Sequence, residues 1–238
     1  MKSFALLALL GMASAADDKV KIDLYYESEC PACKSMITSS FDVAFKADGF
    51  LDMAEVNMVP YGNAHEYKNG DSWDFTCQHG AVECQYNLVE ACSVNLIKCP
   101  YASYEFLNCV ESKDGASKDY EGVAKECATQ AKITNGDDIV SCYNGEDAIK
   151  YEHALALKTD ALSPSHQYVP WVVADGVHSD DINDAVYDSL LKYVCTNYKG
   201  TKKSKDCAQF DGLQVTPKKS YEKCYRFEEM APVEAFLQ

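Results

Sequence analysis

Alternating hydrophobic and polar positions mark the first part of the chain after its apolar start. Apolar residues take every second position over 19–26, which predicts a strand with one buried face. Helical spacing follows over 31–45, and a proline suits the first position of that helix. Alternation returns over 54–60 and, more briefly, over 73–77, which predicts two further strands. The predicted order is therefore strand, helix, strand, strand.

A helical period runs through the middle of the chain. We predict helices close to 82–99, 106–110, 120–127 and 146–157. Pro100 is predicted to stop the first helix, and Asn135-Gly136 and Asn144-Gly145 are predicted turns. The cysteines of this part lie on the apolar helix faces, so about 80–160 is predicted to be a helical insertion with inward-facing cysteines.

The last third of the chain returns to β character and then to a helix. The segment 167–173 is β-prone, and 182–194 is the clearest amphipathic helix of the sequence. Gly200 suits the position just after the end of that helix. The segment 201–238 is rich in lysine and irregular, and we expect Cys207 and Cys224 to hold it in place.

The apolar start is typical of a secretory signal peptide over 1–16. Lys2 supplies the positive charge, an apolar run covers 4–10, and small residues at 13–16 offer a cleavage site. A buried N-terminal helix is the alternative. No later stretch approaches eighteen apolar residues, so we expect a soluble mature protein. None of the asparagines begins an Asn-x-Ser/Thr pattern, so we expect no N-glycosylation.

Charge and cysteine content narrow the possible functions. The chain of 238 residues has 22 basic and 37 acidic side chains, giving a formal net charge of −15. Such an acidic chain is repelled by phosphate backbones and by anionic membranes, so we expect neither nucleic acid nor a membrane as a partner. Twelve cysteines are rare in a reducing cytosol and indicate an oxidising compartment.

The pair Cys30 and Cys33 forms a C-x-x-C motif between a predicted strand and a predicted helix. The helix N-terminus favours a thiolate at Cys30, which would attack a substrate disulfide, and Cys33 would resolve the mixed disulfide. Glu27 and Glu29 oppose the thiolate through their charge. A structural disulfide and half of a zinc site are the alternatives, although no second C-x-x-C exists in the chain.

The dipeptide Val169-Pro170 is the second candidate element of the site. A proline beside a dithiol and just before a strand is usually cis there, which turns the backbone toward an extended substrate. We therefore predict a cis bond and a substrate-binding role for both residues, with an ordinary trans proline as the alternative.

The ten remaining cysteines are predicted to form structural bridges. Their even number permits five, but their spacing leaves the pairing open. They are Cys77, Cys84, Cys92, Cys99, Cys109, Cys127, Cys142, Cys195, Cys207 and Cys224.

A sixteen-residue stretch from Cys77 to Cys92 carries a family resemblance. It reads C-Q-H-G-A-V-E-C-Q-Y-N-L-V-E-A-C and contains every fixed position of C-Q-H-G-x-x-E-C-x-x-N-x-x-E-x-C. This pattern resembles the signature of the gamma-interferon-inducible lysosomal thiol reductase (GILT) family. Further stretches at 59–64, 159–162 and 168–172 are similar to that family, so the resemblance extends over about 19–224.

The resemblance implies an α/β protein with a thioredoxin-like fold and a disulfide-rich helical insertion. Residues 17–200 would form this domain, with the insertion at about 80–160, and 201–238 would be a disulfide-tethered tail. The resemblance further implies reduction of protein disulfides at acidic pH in endosomes or lysosomes, with some members secreted. The carried-over catalytic residues are Cys30 and Cys33, and Pro170 is the substrate-side proline.

Three features add to or depart from the resemblance. No glycine-rich dinucleotide motif is visible, so we expect no bound cofactor or metal and an external small thiol as the electron source. Missing glycosylation sites favour secretion or another sorting signal. Cys99 is not expected in the family, and it could pair differently or remain free. Signature residues without a derived catalytic role are Gln78, His79, Glu83, Asn87 and Glu90, of which the histidine is expected to be structural.

Two other functions remain open at this level. An oxidase or isomerase of secretory-pathway disulfides would share the motif and differ only in reduction potential. A non-enzymatic, disulfide-stapled secreted binding protein would keep Cys30 and Cys33 permanently oxidised and unreactive.

Overall fold

The computed structural model describes residues 19–113, 115, 117–134, 136–212 and 223–225. The predicted signal peptide and most of the predicted tail lie outside these residues. Within them, the strands are β1 (Val20–Tyr26), β2 (Ala54–Pro60), β3 (His65–Asn69), β4 (Ser72–Thr76), β5 (Tyr168–Val169), β6 (Trp171–Ala174) and β7 (Cys224–Tyr225).

Helices fill most of the space between the strands. The α-helices are α1 (Pro31–Ser35), α2 (Asp42–Lys46), α3 (Phe50–Met53), α4 (Ala81–Leu96), α5 (Pro100–Glu111), α6 (Tyr120–Gln130), α7 (Gly136–Tyr143), α8 (Glu146–Asp160) and α9 (Asp180–Asn197). A π-helical segment (Met36–Phe41) joins α1 to α2, and a 3-10 helix (Lys205–Phe210) follows α9. No helix in the described ranges is long and apolar enough to cross a bilayer.

The central sheet has the strand order β2-β1-β6. β1 runs parallel to β2 with Val20 opposite Ala54, and antiparallel to β6 with Tyr25 opposite Trp171. A parallel pair needs a crossover connection, and α1 to α3 provide it. The alternating apolar residues of β1 are buried on this sheet, as the sequence pattern predicts.

Ser40 connects the crossover helix to an irregular turn of α9. Ser189 inside α9 has non-helical angles (φ −168°, ψ 101°), which interrupts the backbone hydrogen bonds of that helix. The Ser40 hydroxyl donates to the Val186 carbonyl at 2.5 Å and accepts from the Leu190 amide at 2.8 Å. One buried side chain thereby replaces bonds that the interrupted helix lacks.

The helices α4 to α8 follow one another between β4 and β5 and enclose a core of their own. Phe106, Leu107 and Ile139 are fully buried there. The bridges Cys92–Cys142 and Cys109–Cys127 tie α4 to α7 and α5 to α6. A third bridge, Cys77–Cys84, joins the end of β4 to the first turn of α4.

Five local features differ from the sequence-based predictions. Pro100 opens α5 rather than stopping a helix, because a proline lacks only an N–H that the first helical turn does not use. Gly136 opens α7 instead of forming a turn, and the polar strand β3 was missed. Cys99 is exposed, not inward-facing, and α9 ends at Asn197, before Gly200.

Candidate active site

The two cysteines of the C-x-x-C motif lie at the carboxyl end of β1, where the crossover helix begins. Cys30 is the residue that precedes the first turn of α1, and Pro31 occupies the first helical position. Both Cys30 and Cys33 are fully buried. Unpaired amides at a helix start carry partial positive charge, so Cys30 stands where a thiolate is stabilised.

Cys30 is bonded to Cys224, which lies 194 residues later in the sequence. Cys33 is a free, buried thiol. The prediction that the ten other cysteines form structural bridges among themselves was therefore wrong for Cys224, which pairs with the C-x-x-C motif. The exposed Cys99 is free, a possibility that the sequence left open. The fifth bridge, Cys195–Cys207, holds the 3-10 helix against α9.

A short strand presents Cys224 to Cys30. β7 pairs antiparallel with β5, with Val169 opposite Cys224 and Tyr168 opposite Tyr225. The amide side chain of Asn63 donates to the Cys224 carbonyl at 2.8 Å. The Val169-Pro170 bond is cis, as predicted. The two predicted substrate-binding residues thus lie beside the dithiol and next to a strand that already carries a cysteine.

Lys223, directly before β7, contacts two side chains beside the site. Its ammonium lies 3.6 Å from the centroid of the Tyr168 ring and 3.1 Å from a carboxylate oxygen of Asp180. The Tyr168 hydroxyl donates to the same oxygen of Asp180. These bonds, from Tyr168 first and Lys223 second, hold the pKa of Asp180 below its ordinary value. Both contacts therefore favour the anionic form of Asp180.

Two buried glutamates and a histidine lie behind the dithiol. Glu27 accepts a hydrogen bond from the Asn63 amide at 2.6 Å, and Gly62 (φ +61°) passes so close that an added Cβ would lie 2.5 Å from Glu27. The His79 Nδ1 atom is 2.9 Å from a Glu83 oxygen and 3.5 Å from a Glu27 oxygen. Burial, and next the charge of Glu83, raise the pKa of Glu27 well above its ordinary value.

The surroundings of the Cys33 thiol favour its protonated form. Burial raises the pKa of Cys33 well above its ordinary value, and the negative charge of Glu27 raises it further. A neutral Glu27 removes that second effect, so the two groups are electrostatically linked.

The signature stretch supplies one polar face of α4. Asn87 accepts a hydrogen bond from the Ser28 amide at 3.0 Å, and the Ser28 hydroxyl donates to the Glu83 carbonyl at 3.0 Å. Glu90, one turn beyond Asn87, is fully buried together with Glu111. Because residues 83, 87 and 90 recur at helical spacing, a polar stripe was visible in the sequence, but its burial was not.

The described residues that come nearest to a metal-ligand set are Glu27, His79 and Cys224. Their potential ligand atoms lie within 4.8 Å of one another. The Cys224 sulfur is bonded to Cys30, and a disulfide sulfur is not the thiolate that metals bind. The set is therefore better understood as part of the dithiol's surroundings.

Comparison with known proteins shows close relatives over most of the chain. A family model described as gamma interferon inducible lysosomal thiol reductase (GILT) matches residues 21–131. A Carassius auratus protein named gamma-interferon-inducible lysosomal thiol reductase is 37% identical over 184 residues, covering 77% of this chain and 70% of that protein. A Mus musculus protein of the same name is 32% identical over 207 residues, covering 87% and 77%.

Two solved structures share the fold at low sequence identity. Chlamydia trachomatis DsbA matches with a TM-score of 0.50 and 14% identity, over 67% of this chain and 76% of that one. Oxidised BdbD from Bacillus subtilis matches with a TM-score of 0.50 and 16% identity, over 77% and 90%. The predicted α/β, thioredoxin-like fold is confirmed.

Proposed function

The chain belongs to the gamma interferon inducible lysosomal thiol reductase family and is a disulfide oxidoreductase, and from this premise we propose that it reduces disulfide bonds of protein substrates at acidic pH through Cys30 and Cys33. One observation carries the proposal. Cys30 is bonded to a cysteine on a paired strand while Cys33, one helical turn away, is a free thiol. This is the arrangement of a mixed disulfide before it is resolved.

The proposed reaction has three steps. The Cys30 thiolate attacks one sulfur of a substrate disulfide, and the other substrate sulfur leaves as a thiolate that takes up a proton. The Cys33 thiol then loses its proton and attacks the Cys30 sulfur, which releases the second substrate thiol and leaves a Cys30–Cys33 disulfide. Two molecules of an external small thiol reduce this disulfide and end as their own disulfide.

Glu27 is the group we propose to govern the second step. It is buried, its pKa is raised, and its charge raises the pKa of Cys33. When Glu27 is protonated in acid, the thiolate of Cys33 forms without a neighbouring negative charge. His79 lines the site beside these groups: its Nδ1 atom lies 2.9 Å from Glu83 and 3.5 Å from Glu27, and its Nε2 atom lies 4.0 Å from the Cys224 sulfur.

For the substrate side we propose that Val169 and Pro170 bind the backbone of the protein substrate. Val169 pairs with the cysteine-bearing strand, and that strand stands where a substrate strand would be. We further propose that the protein works in the secretory pathway, in lysosomes or endosomes or outside the cell. The relatives named lysosomal and the five bridges among the described residues support this location.

The Cys30–Cys224 bond also favours a second candidate function, a disulfide-stapled binding protein whose dithiol never reacts. The two candidates differ in turnover. We would measure reduction of a protein disulfide by a small thiol at pH 5 and pH 7, with the wild type, Cys30→Ser, Cys33→Ser and the exposed-thiol control Cys99→Ser.

The proposed reductase requires acid-favoured turnover that is lost in Cys30→Ser and retained in Cys99→Ser. Cys33→Ser should accumulate a covalent complex with the substrate. If Cys30→Ser does not change turnover, the proposed reductase mechanism is contradicted. The same holds if the mildly reduced wild type shows no turnover at pH 5 or pH 7, and the disulfide-stapled binding protein is then the better description.

A further inference from the structure

The strand that carries Cys224 occupies the site in the manner of a bound peptide. Its Cys224 forms a disulfide with Cys30 and lies opposite Val169 in an antiparallel pair with β5. The Cys224 carbonyl accepts a hydrogen bond from the Asn63 side chain at 2.8 Å. On the side of the Cys224 strand, the ladder and the contact with the Asn63 side chain use backbone atoms alone. Any extended segment with a cysteine could be held by the same contacts.

The Lys223 side chain of this segment contacts an aromatic ring and a carboxylate. The Lys223 side chain is 17% exposed, although its ion-pair partner Asp180 is 71% exposed. The ammonium is placed over the Tyr168 ring at 3.6 Å and beside the Asp180 carboxylate at 3.1 Å. An aromatic face and a carboxylate together attract a cation more than either does alone. A carboxylate side chain in the same place would meet the charge of Asp180 and the negative face of the ring.

We propose that residues 223–225 occupy the substrate groove of this enzyme as an internal competitor, and that Tyr168 and Asp180 form a subsite for a cationic side chain immediately before the reactive substrate cysteine. The preferred substrates are then extended protein segments with Lys or Arg followed by Cys. This inference rests on the proposed function, because it needs Cys30 to attack such a cysteine.

Removal of the internal competitor is a balanced exchange. A small thiolate attacks the Cys224 sulfur, Cys30 leaves as the thiol, and a second small thiol then releases Cys224 with formation of the small disulfide. Two small thiols are oxidised and one protein disulfide is reduced. The groove and Cys30 then become available to a substrate segment.

The test uses peptides whose single cysteine is joined to the chromophore 5-thio-2-nitrobenzoate. The peptides differ only in the residue before the cysteine, which is Lys, Gln or Glu. Reduced full-length protein carrying Cys99→Ser and Cys224→Ser has neither the exposed free thiol nor a covalent competitor, and attack by Cys30 on the peptide cysteine releases the coloured thiolate. The small symmetric disulfide of the same chromophore reports the intrinsic reactivity of Cys30, and every peptide rate is divided by it.

We expect the Lys peptide to react about tenfold faster than the Glu peptide at low salt, with Gln between them. Asp180→Asn should reduce this ratio several-fold, and the matched control Asp181→Asn, on the same first turn of α9, should not. Adding Lys223→Gln to the Cys224→Ser protein should raise the Lys-peptide rate, because the internal cation no longer competes.

Each outcome separates the two proposals. No reaction with the small disulfide would contradict the proposed function itself. Reaction with the small disulfide but equal normalised rates for all three peptides would overturn the subsite alone. A Lys preference that Asp180→Asn and Asp181→Asn reduce equally would also overturn it, since general surface charge would then be the cause.

Discussion

The buried carboxyls of Glu90 and Glu111 lead to a prediction about the pH dependence of stability. Glu90 is fully buried and Glu111 is 2% exposed, and the two carboxyls interact with each other and, at Glu90, with the Tyr26 side chain. Burial raises the pKa of Glu90 from 4.5 to about 8, and burial followed by the charge of Glu90 raises the pKa of Glu111. The perturbation is Glu90→Gln, which keeps the shape and removes the titration.

The direction of the pH dependence follows from the state, folded or unfolded, in which Glu90 binds its proton more tightly. A raised pKa in the folded state means that folding takes up a proton between the two pKa values, so Glu90 contributes its full stability below about pH 4.5 and loses it as the pH rises toward 8. With these two pKa values, the loss between pH 5 and pH 7.5 is about 3 kcal/mol for this single carboxyl. Glu111 and Lys34 act on it from α5 and α1, and Tyr26 from β1.

The assay is urea unfolding followed by far-ultraviolet circular dichroism between pH 5 and pH 7.5 without reductant, so that the bridges stay intact. The wild type should be several kcal/mol more stable at pH 5 than at pH 7.5. Glu90→Gln should lose about 3 kcal/mol less over that range, whatever its stability at pH 5. Glu55→Gln, an exposed change on β2, should keep the wild-type slope.

The reasoning would be refuted by a wild type whose stability is constant or rises from pH 5 to pH 7.5. It would equally be refuted if Glu90→Gln kept the whole pH dependence, because the titrating group would then lie elsewhere.

Three further predictions follow from single contacts. Ser40→Ala should lower the free energy of unfolding by about 2 kcal/mol in urea titrations, since it leaves the buried Leu190 amide and Val186 carbonyl without their partner. Native protein treated with a maleimide should gain one fast label, at Cys99 and not at the buried free thiol, as peptide mapping will show. Glu27→Gln should lower the pKa of the buried Cys33 thiol, measured as the pH dependence of its alkylation in a Cys30→Ser background.

Matched changes test the causes. Ser39→Ala, at an exposed position of the same π-helical segment, should cost far less than the Ser40 change. Cys99→Ser should abolish the fast label, and a fast label that survives would place the reactive thiol elsewhere. The main charges that raise the pKa of Cys33 are Glu27, Glu111 and Glu83, so Glu29→Gln should leave the alkylation profile nearly unchanged. An equal shift in both variants would contradict a specific effect of Glu27.

Local patterns predicted much of the fold because their causes are local. The alternation in β1, Pro31 at the helix start and the cis bond before Pro170 all depend on neighbours in the sequence. Gly136 was mistaken because a helix can begin at a residue that also suits a turn, and tertiary packing decides between them. The strand β3 was missed because its residues are largely exposed and carry no apolar alternation.

The site was predicted only in part for a different reason. Cys30 and Cys33 were predicted because a C-x-x-C spacing is itself the signal, and Val169 and Pro170 because of the β-prone flank. The structure brings these residues together, and their roles stay predictions. The partner of Cys30 lies 194 residues away, and no spacing rule connects the two. The buried glutamates were missed because a carboxyl in a sequence is expected at the surface, and only the fold shows that Glu27 faces the dithiol.

The long separation between Cys30 and Cys224 has a consequence for biosynthesis. While the chain is being made, Cys30 and Cys33 emerge from the ribosome together, long before Cys224 exists. The bond to Cys224 can form only after translation has passed that residue and β7 has docked on β5. A nascent chain that stops earlier lacks this bond. The Cys30–Cys224 disulfide is therefore present only in chains that have been synthesised past Cys224 and in which β7 has docked on β5.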